Sequence, residues 1–319
     1  MADAVATTFE RFAGARCVVF GACGFMGSHT TKALVALGAD VVAFDFSDGE
    51  VAVGATQVQG DITDAESVRA VVEGASHLFC FAGGLGPTRS LADPVRDLET
   101  SARAQLMLLE TMRAVAPKAS VVLAGSRLEY GTADHLPVDE THPLRPGNPY
   151  AFHKALCSHY YSLYAARHGL HATVLRLSNP YGPHALGGPA STGYGVLNFF
   201  VDLAKRDDAI QLFGDGEQLR DFIHVDDVVS AALAASLVPE AAGLAFNIGS
   251  GVGTSLREAA ETVVELCGSG RVVAGVEWPE DARLVETGDF YFDVGLAERV
   301  LGWRPCVALH DGLVSLLRP

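Results

Sequence analysis

The sequence predicts an α/β protein, a doubly wound parallel sheet carrying a smaller, interleaved C-terminal lobe. Three observations carry that prediction. Short β-branched or apolar runs alternate with stretches whose apolar residues recur at helical spacing; a glycine-rich turn joins the first run to the first such stretch; and the texture changes after Leu177. At 319 residues the chain exceeds an average domain yet fits one sheet-based unit with a second lobe.

The runs at 17–20, 41–45, 56–59, 77–81, 120–123 and 173–177 read as strands, with helical segments between them. Residues 179–195 are rich in Gly and Pro, and they precede a helical segment at 196–205 and the turn Gly214-Asp215-Gly216. Residues 221–237 and 245–249 read as a return to the main sheet. The expected division is 1–178 for the first domain, rejoined by 221–249, with 179–319 mainly forming the second lobe.

Composition narrows the function classes. No apolar run reaches the roughly 18 residues of a bilayer span, and residues 1–16 lack a secretory pattern, so a cytoplasmic protein without a membrane partner is expected. A formal net charge of -15 argues against nucleic acid as a partner, since phosphate backbones need clustered Lys and Arg. The six cysteines are scattered without a CxxC pair or metal-like spacing, so reduced thiols and no metal are expected.

The first strand runs into Gly21-Ala22-Cys23-Gly24-Phe25-Met26-Gly27, and residues 28–37 have helical character. Glycines at these positions permit a tight turn, close backbone approach to a pyrophosphate and close helix packing, with the helix dipole facing the phosphates. Asp45 follows 18 positions after Gly27, close to the spacing of a carboxylate that bonds adenosine ribose hydroxyls; capping a turn is its alternative role. No Lys or Arg lies between Phe46 and Gly60, so a 2′-phosphate would find no cation and NAD is favoured over NADP. Further on, Gly60-Asp61-Ile62 follows the third strand and Phe81-Ala82-Gly83-Gly84 the fourth. Asp61 could accept the adenine amino group, and the small residues would let backbone approach the cofactor; each is also an ordinary turn, and their order is what informs.

Tyr150-Ala151-Phe152-His153-Lys154 opens a helical stretch behind Pro149. Four residues apart on a helix, the Tyr and Lys side chains share one face. A phenol is a poor base at neutral pH, but a neighbouring ammonium and a positive nicotinamide ring both favour phenolate, so Tyr150 could remove a hydroxyl proton. Ser126 ends the fifth strand, four residues before Tyr130, where its hydroxyl can hold the same oxygen.

With the glycine turn, Asp45, Ser126 and Tyr150/Lys154 in this order, the chain resembles the extended short-chain dehydrogenase/reductase superfamily in its nucleotide-sugar epimerase/dehydratase branch. Further matching stretches are Leu175 through Pro183, Phe213 through Asp227, Phe246 through Gly251 and Leu301-Gly302-Trp303-Arg304-Pro305. The resemblance implies a Rossmann sheet, bound NAD and a nucleoside-diphosphate sugar substrate. It also implies that Asn179 and Arg220 contact the nucleotide diphosphate or its ribose, and that Asn198 makes a further polar contact. A salt bridge of Arg220 with Asp226 or Asp227 is the structural alternative. A homodimer through two long helices, one of them the stretch after Tyr150, is implied as well; His153, Tyr160 and Tyr161 read as exposed or interface residues.

The matching runs also select a reaction. Dehydratases of the branch usually carry an acidic pair, or at least a Glu, in the positions directly after the catalytic hydroxyl, and its sugar-acid decarboxylases generally carry a Glu there too; this chain has Arg127 and Leu128 at those positions, and Glu129 is one place off and reads as structural. What remains is 4-epimerisation of a UDP-sugar of the glucose/galactose or glucuronate type. Tyr150 takes the O4 proton, and the C4 hydride leaves to NAD and returns to the opposite face of a 4-keto sugar. A nucleotide-sugar 4-ketoreductase uses the same residues, and a non-catalytic NAD-binding protein is the reading from another class. The chain departs from the branch at Phe81 through Gly86, at Ser101, at Gly125 and at Arg127. Arg127 or Arg89 could face a carboxylate or another polar sugar group, with surface ion pairing as the alternative.

Overall fold

The structure is a computed structural model describing residues 9–184 and 195–317. Six strands come first: β1 (Arg16–Phe20), β2 (Asp40–Asp45), β3 (Thr56–Gln59), β4 (His77–Cys80), β5 (Ser120–Ser126) and β6 (His171–Leu177). Four short ones follow, β7 (Asn179–Tyr181), β8 (Ala209–Phe213), β9 (Leu219–Arg220) and β10 (Phe222–His224), then β11 (Ala245–Ile248), β12 (Thr254–Ser255) and β13 (Arg271–Val276). The main sheet has seven strands in the order β3-β2-β1-β4-β5-β6-β11, and every neighbouring pair is parallel. This is the doubly wound Rossmann-like order, in which the chain reverses direction between β1 and β4 and leaves a crevice at the carboxyl ends of the strands.

Parallel strands need crossovers, and helices supply them on both faces. They begin with α1 (Phe25–Ala36), α2 (Ala65–Val72), α3 (Pro87–Ala92) and α4 (Pro94–Leu98). A π-helical turn at Glu99–Arg103 leads into α5 (Ala104–Val115), followed by α6 (Pro149–His168), α7 (Gly195–Lys205) and α8 (Val225–Leu237). Strand alternation sends Cys17 and Val19 to one face, where Leu34 and Val228 bury them, and Val18 and Phe20 to the other, where Leu108 and Tyr161 do so. A third core joins Tyr181, Phe200, Ile210, Val263 and Leu313, with contributions from α9 (Leu256–Cys267) and, beyond α10 (Glu280–Val285) and α11 (Gly295–Leu301), from α12 (Leu309–Leu317).

One sequence expectation fails. Residues 222–224 do not enter the main sheet, because β11 occupies the edge beside β6, and β10 instead pairs in parallel with β7. The buried Asp221 carboxylate holds this departure in place by accepting the backbone N–H groups of Ser250, Gly251 and Phe292. Within the Gly/Pro-rich stretch, 185–194 lie outside the described residues, as do residues 1–8 of the first segment. Among the described residues no helix is long and apolar enough to cross a membrane. None of the six cysteines is paired with another.

Candidate active site

The turn after β1 needs its glycines. Gly21 has φ +79, and a Cβ there would come within 2.9 Å of the Ala82 nitrogen, while a Cβ on Gly27 would overlap the Gly21 carbonyl oxygen. Gly24 stands at the N-cap of α1 with no side-chain cap, so the first-turn N–H groups face outward from a helix without acids in that turn. In front of them lies a cavity of about 350 Å³, lined by Gly21, Gly24, Phe25, Met26, Gly27, Phe81, Ser178, Asn179, Pro180 and Gly195. The helix dipole and the absent Cβ atoms together suit a pyrophosphate.

Asp45 ends β2 and is 7% exposed. Its carboxylate accepts the Cys23 N–H at 2.9 Å and the Ser47 N–H and hydroxyl at 3.0 and 2.9 Å, so it braces the glycine turn from the next strand. Phe46 is 78% exposed beside it. Asp61 accepts the N–H and hydroxyl of Thr63, each at 2.8 Å, in a local turn, and Ile62 is buried in the core. Phe81, Ala82 and Gly83 follow β4, and a Cβ on Gly83 would meet the Thr100 carbonyl at 2.5 Å. Of these, Phe81 lines the cavity together with the glycine turn that Asp45 braces, and no Lys or Arg stands between Phe46 and Gly60 to take a ribose phosphate. The residues present fit NAD.

Ser126 ends β5, and Tyr150 and Lys154 lie in the first turns of α6, which packs against β5. Asn148 caps α6 through Ala151 N–H at 2.9 Å, Pro149 opens the helix, and Gly169 ends it with φ 68. Lys154 is buried and donates to the Ala124 carbonyl at 2.8 Å, and its Nζ lies 5.7 Å from the centre of the Tyr150 ring. Burial works against its charge, but the field of Tyr150, with those of Cys157, Cys80 and Glu129, outweighs it and raises the ammonium pKa. Among the described residues the Tyr150 phenol has no hydrogen-bond partner. The Ser126 oxygen accepts the Leu128 N–H at 3.2 Å, which leaves its O–H without an acceptor there.

Glu129 explains how Ser126 is held. Its Oε1 accepts the Ser126 N–H at 2.9 Å; its Oε2 accepts the Ser158 hydroxyl at 2.6 Å and Arg176 Nε at 3.0 Å. Arg176 donates onward to the Tyr130 hydroxyl at 2.8 Å, and Tyr130 to Asn247 at 2.7 Å. Glu129, fully buried, thus has both oxygens engaged.

On the substrate side, Asn179 lines the cavity and its amide donates to the Asp221 carbonyl at 2.7 Å. Asn198 is buried with both ends of its amide on Gly182. Arg220 is buried and does not pair with Asp226 or Asp227. Its Nη2 donates to both Glu286 oxygens at 2.6 and 2.7 Å and its Nη1 to the Leu219 and Gly288 carbonyls, while Asp226 faces His29 and Asp227 accepts the N–H groups of Cys306 and Val307. Arg127 also departs from the surface-pairing alternative: it is half-buried, donates to Thr287 Oγ1 at 2.9 Å and lies over Phe290, 5.3 Å from the ring centre. Arg89 is exposed and donates to the Leu85 carbonyl. Beyond Arg220 and Glu286 opens a second cavity of about 370 Å³, walled by Phe213, Trp278, Gln218 and Asp289 among others.

Local reading missed one buried pair. Asp97 and His153 meet at 2.6 Å, and the other Asp97 oxygen accepts the Leu85 N–H at 2.6 Å. That pair ties α6 to the loop after β4, where a Cβ on Gly84 would stand 3.0 Å from the Tyr150 ring. His153 is therefore buried rather than exposed or at an interface, and Tyr161 is buried too, donating to Gln105. Only the odd placement of a His inside the Tyr150–Lys154 interval hinted at it.

Comparison with known proteins agrees with this geometry. The pattern of the NAD dependent epimerase/dehydratase family matches residues 17–249. The chain is 32% identical to the UDP-glucose 4-epimerase of Mycolicibacterium smegmatis over 94% of this chain and 96% of the relative. It is 31% identical to the dTDP-glucose 4,6-dehydratase of Streptomyces griseus, over 93% and 92%. The UDP-glucose 4-epimerase of Thermotoga maritima, solved with UDP-glucose, superposes with a TM-score of 0.85 at 29% identity, covering 95% of this chain and 97% of that one. The protein MoeE5, solved with UDP-glucuronic acid and NAD, does so with a TM-score of 0.83 at 28% identity, over 94% and 97%. The chain belongs to the NAD dependent epimerase/dehydratase family, and it is an NAD-dependent enzyme of that kind.

Proposed function

We propose that the protein is a nucleotide-sugar 4-epimerase acting on a UDP-sugar of the glucose/galactose or glucuronate type. The observation that carries the reading is the pair of hydroxyls at Ser126 and Tyr150, both without protein acceptors among the described residues and both backed by buried groups. When bound in the glycine-lined crevice, NAD supplies a hydride acceptor and donor. Gly21, Gly24, Phe25, Met26 and Gly27 would hold its pyrophosphate, Asp45 and Phe46 its adenosine end, Asp61 and Ile62 the adenine edge, and Phe81 through Gly83 the path to the reacting end.

Tyr150 accepts the proton of the sugar 4-hydroxyl with the Lys154 ammonium beneath its ring, and Ser126 donates to the same oxygen. The resulting 4-keto sugar turns over, and the proton returns from Tyr150 as the opposite face is reduced. Glu129 decides between this reaction and elimination, despite the relative that is a dehydratase. Its oxygens are engaged with Ser126, Ser158 and Arg176, and Leu128 beside it is apolar, so this segment offers no free carboxylate to serve C5 and C6.

The second cavity suits a nucleobase. Phe213 and Trp278 pack against each other at a tilt, ring centres 5.3 Å apart, and give it an aromatic wall, and the buried Gln218 Nε2 has no hydrogen-bond partner among the described residues. Arg220, between that cavity and Asn179, would then meet the diphosphate, with Asn198 holding Gly182 nearby. Exposed Phe152 and Leu163, on one side of α6, support a homodimer through α5 and α6, and the unpaired thiols suit a cytoplasmic setting.

NMR of the purified protein with UDP-, GDP-, dTDP- and CDP-sugars, without added cofactor, tests the reading. A new C4-epimer, with conversion reduced at least a thousandfold in Tyr150→Phe, supports it. Conversion of a 4-keto sugar only when NADH is added would replace it by the ketoreductase.

A further inference from the structure

We infer that Arg127 is an anion-recognition residue of the sugar subsite and that the preferred substrate carries a carboxylate on its hexose. The inference rests on the nucleotide-sugar reading above and specifies its substrate.

Three arginines, Arg127, Arg176 and Arg220, are buried or half-buried here, and two are ion-paired. Arg176 holds Glu129, and Arg220 holds Glu286. Arg127 has a neutral hydroxyl and an aromatic ring for partners, and no carboxylate forms a salt bridge with it among the described residues. Burial, reinforced by Arg220 and only partly offset by Glu286 and Asp221, depresses its pKa to about 10, which still leaves it charged at neutral pH. Keeping a half-buried guanidinium without a counter-ion is costly unless a ligand supplies the anion.

Its place in the fold indicates which anion. Arg127 directly follows Ser126, and its partner Thr287 directly follows Glu286, the residue that pairs with Arg220. Arg127 therefore stands at the junction between the catalytic hydroxyl and the Arg220 end of the second cavity. A nucleotide sugar with its base in that cavity and its hexose on Ser126 would bring hexose substituents to Arg127. A guanidinium fork matches the two oxygens of a carboxylate, and Thr287 and Phe290 hold the fork in one orientation.

The test compares UDP-glucuronate with UDP-glucose, and UDP alone as a competitive inhibitor, in the NAD-loaded parent, Arg127→Met, Arg127→Lys and Thr287→Val. The parent should favour UDP-glucuronate in kcat/KM. Arg127→Met should lower the ratio of the two kcat/KM values about ten- to a hundredfold. Arg127→Lys should recover part of that ratio, and Thr287→Val, which removes only an orienting hydroxyl, should lower it a few-fold. A ratio that does not move in any variant overturns the inference and leaves the epimerase reading standing. An equal loss for both sugars and for UDP also overturns it, assigning Arg127 to the diphosphate. A protein that handles no UDP-sugar overturns the reading and the inference together.

Discussion

Two arginines flank the Ser126 end of β5 in opposite environments. Beneath Ser126, Arg176 is bonded to Glu129 and Tyr130 and lies 4.8 Å from the centre of the Tyr130 ring. Burial opposes its charge, but Glu129 and Tyr130 outweigh that and raise its pKa. On the side facing the second lobe, Arg127 has the same kind of ring contact but no salt bridge among the described residues, and burial outweighs the fields of Glu286 and Asp221 and lowers its pKa. Identical side chains thus serve different ends. A counter-ion makes the first part of the scaffold, and the lack of one leaves the second available to a ligand.

The largest effect expected from this contrast is on stability. Arg176→Met strands Glu129 in the interior and should cost about 3–5 kcal/mol in urea unfolding, whereas Arg127→Met should change stability by less than about 1 kcal/mol. Equal losses would abolish the distinction. Next, the double variant Glu129→Leu/Arg176→Met should be more stable than the sum of the single losses predicts, with a coupling of about 2 kcal/mol or more in a double-mutant cycle. The catalytic wall opposite offers a third comparison. Asp97→Asn weakens the tie between α6 and the loop after β4, and should lower kcat about tenfold with a much smaller change in KM. A change confined to KM would show that the pair does not position Tyr150. The smallest effect is a control by pH. Neither arginine titrates near neutrality, but burial, with Arg11 and His171 nearby, lowers the His77 pKa to about 4. The unfolded state therefore binds the extra proton between roughly pH 6.5 and 4, so this contribution is complete above that window and lost as pH falls through it. The parent and Arg127→Met should show the same acid slope of Tm.

The strands of the main sheet were legible because alternating apolar runs in βαβ order have few arrangements. The glycine turn was legible because its requirement is local, as Gly21 and Gly27 show. The Ser126, Tyr150 and Lys154 set follows from helical spacing and strand order. What escaped was long-range. Asp97 and His153 are 56 residues apart, Arg220 and Glu286 are 66 apart, and Arg127 and Thr287 are 160 apart. A three-residue strand such as β10 carries too little pattern to choose its sheet, and Arg220 offered nearer acids than the one it took.

The central claim is that C4 is oxidised and reduced again within one active site. It is tested most directly with UDP-glucuronate and UDP-glucose carrying deuterium at C4, incubated without added cofactor and followed by NMR. The account predicts a C4-epimer that retains the deuterium at C4. Deuterium at C6, or lost to solvent, would contradict it.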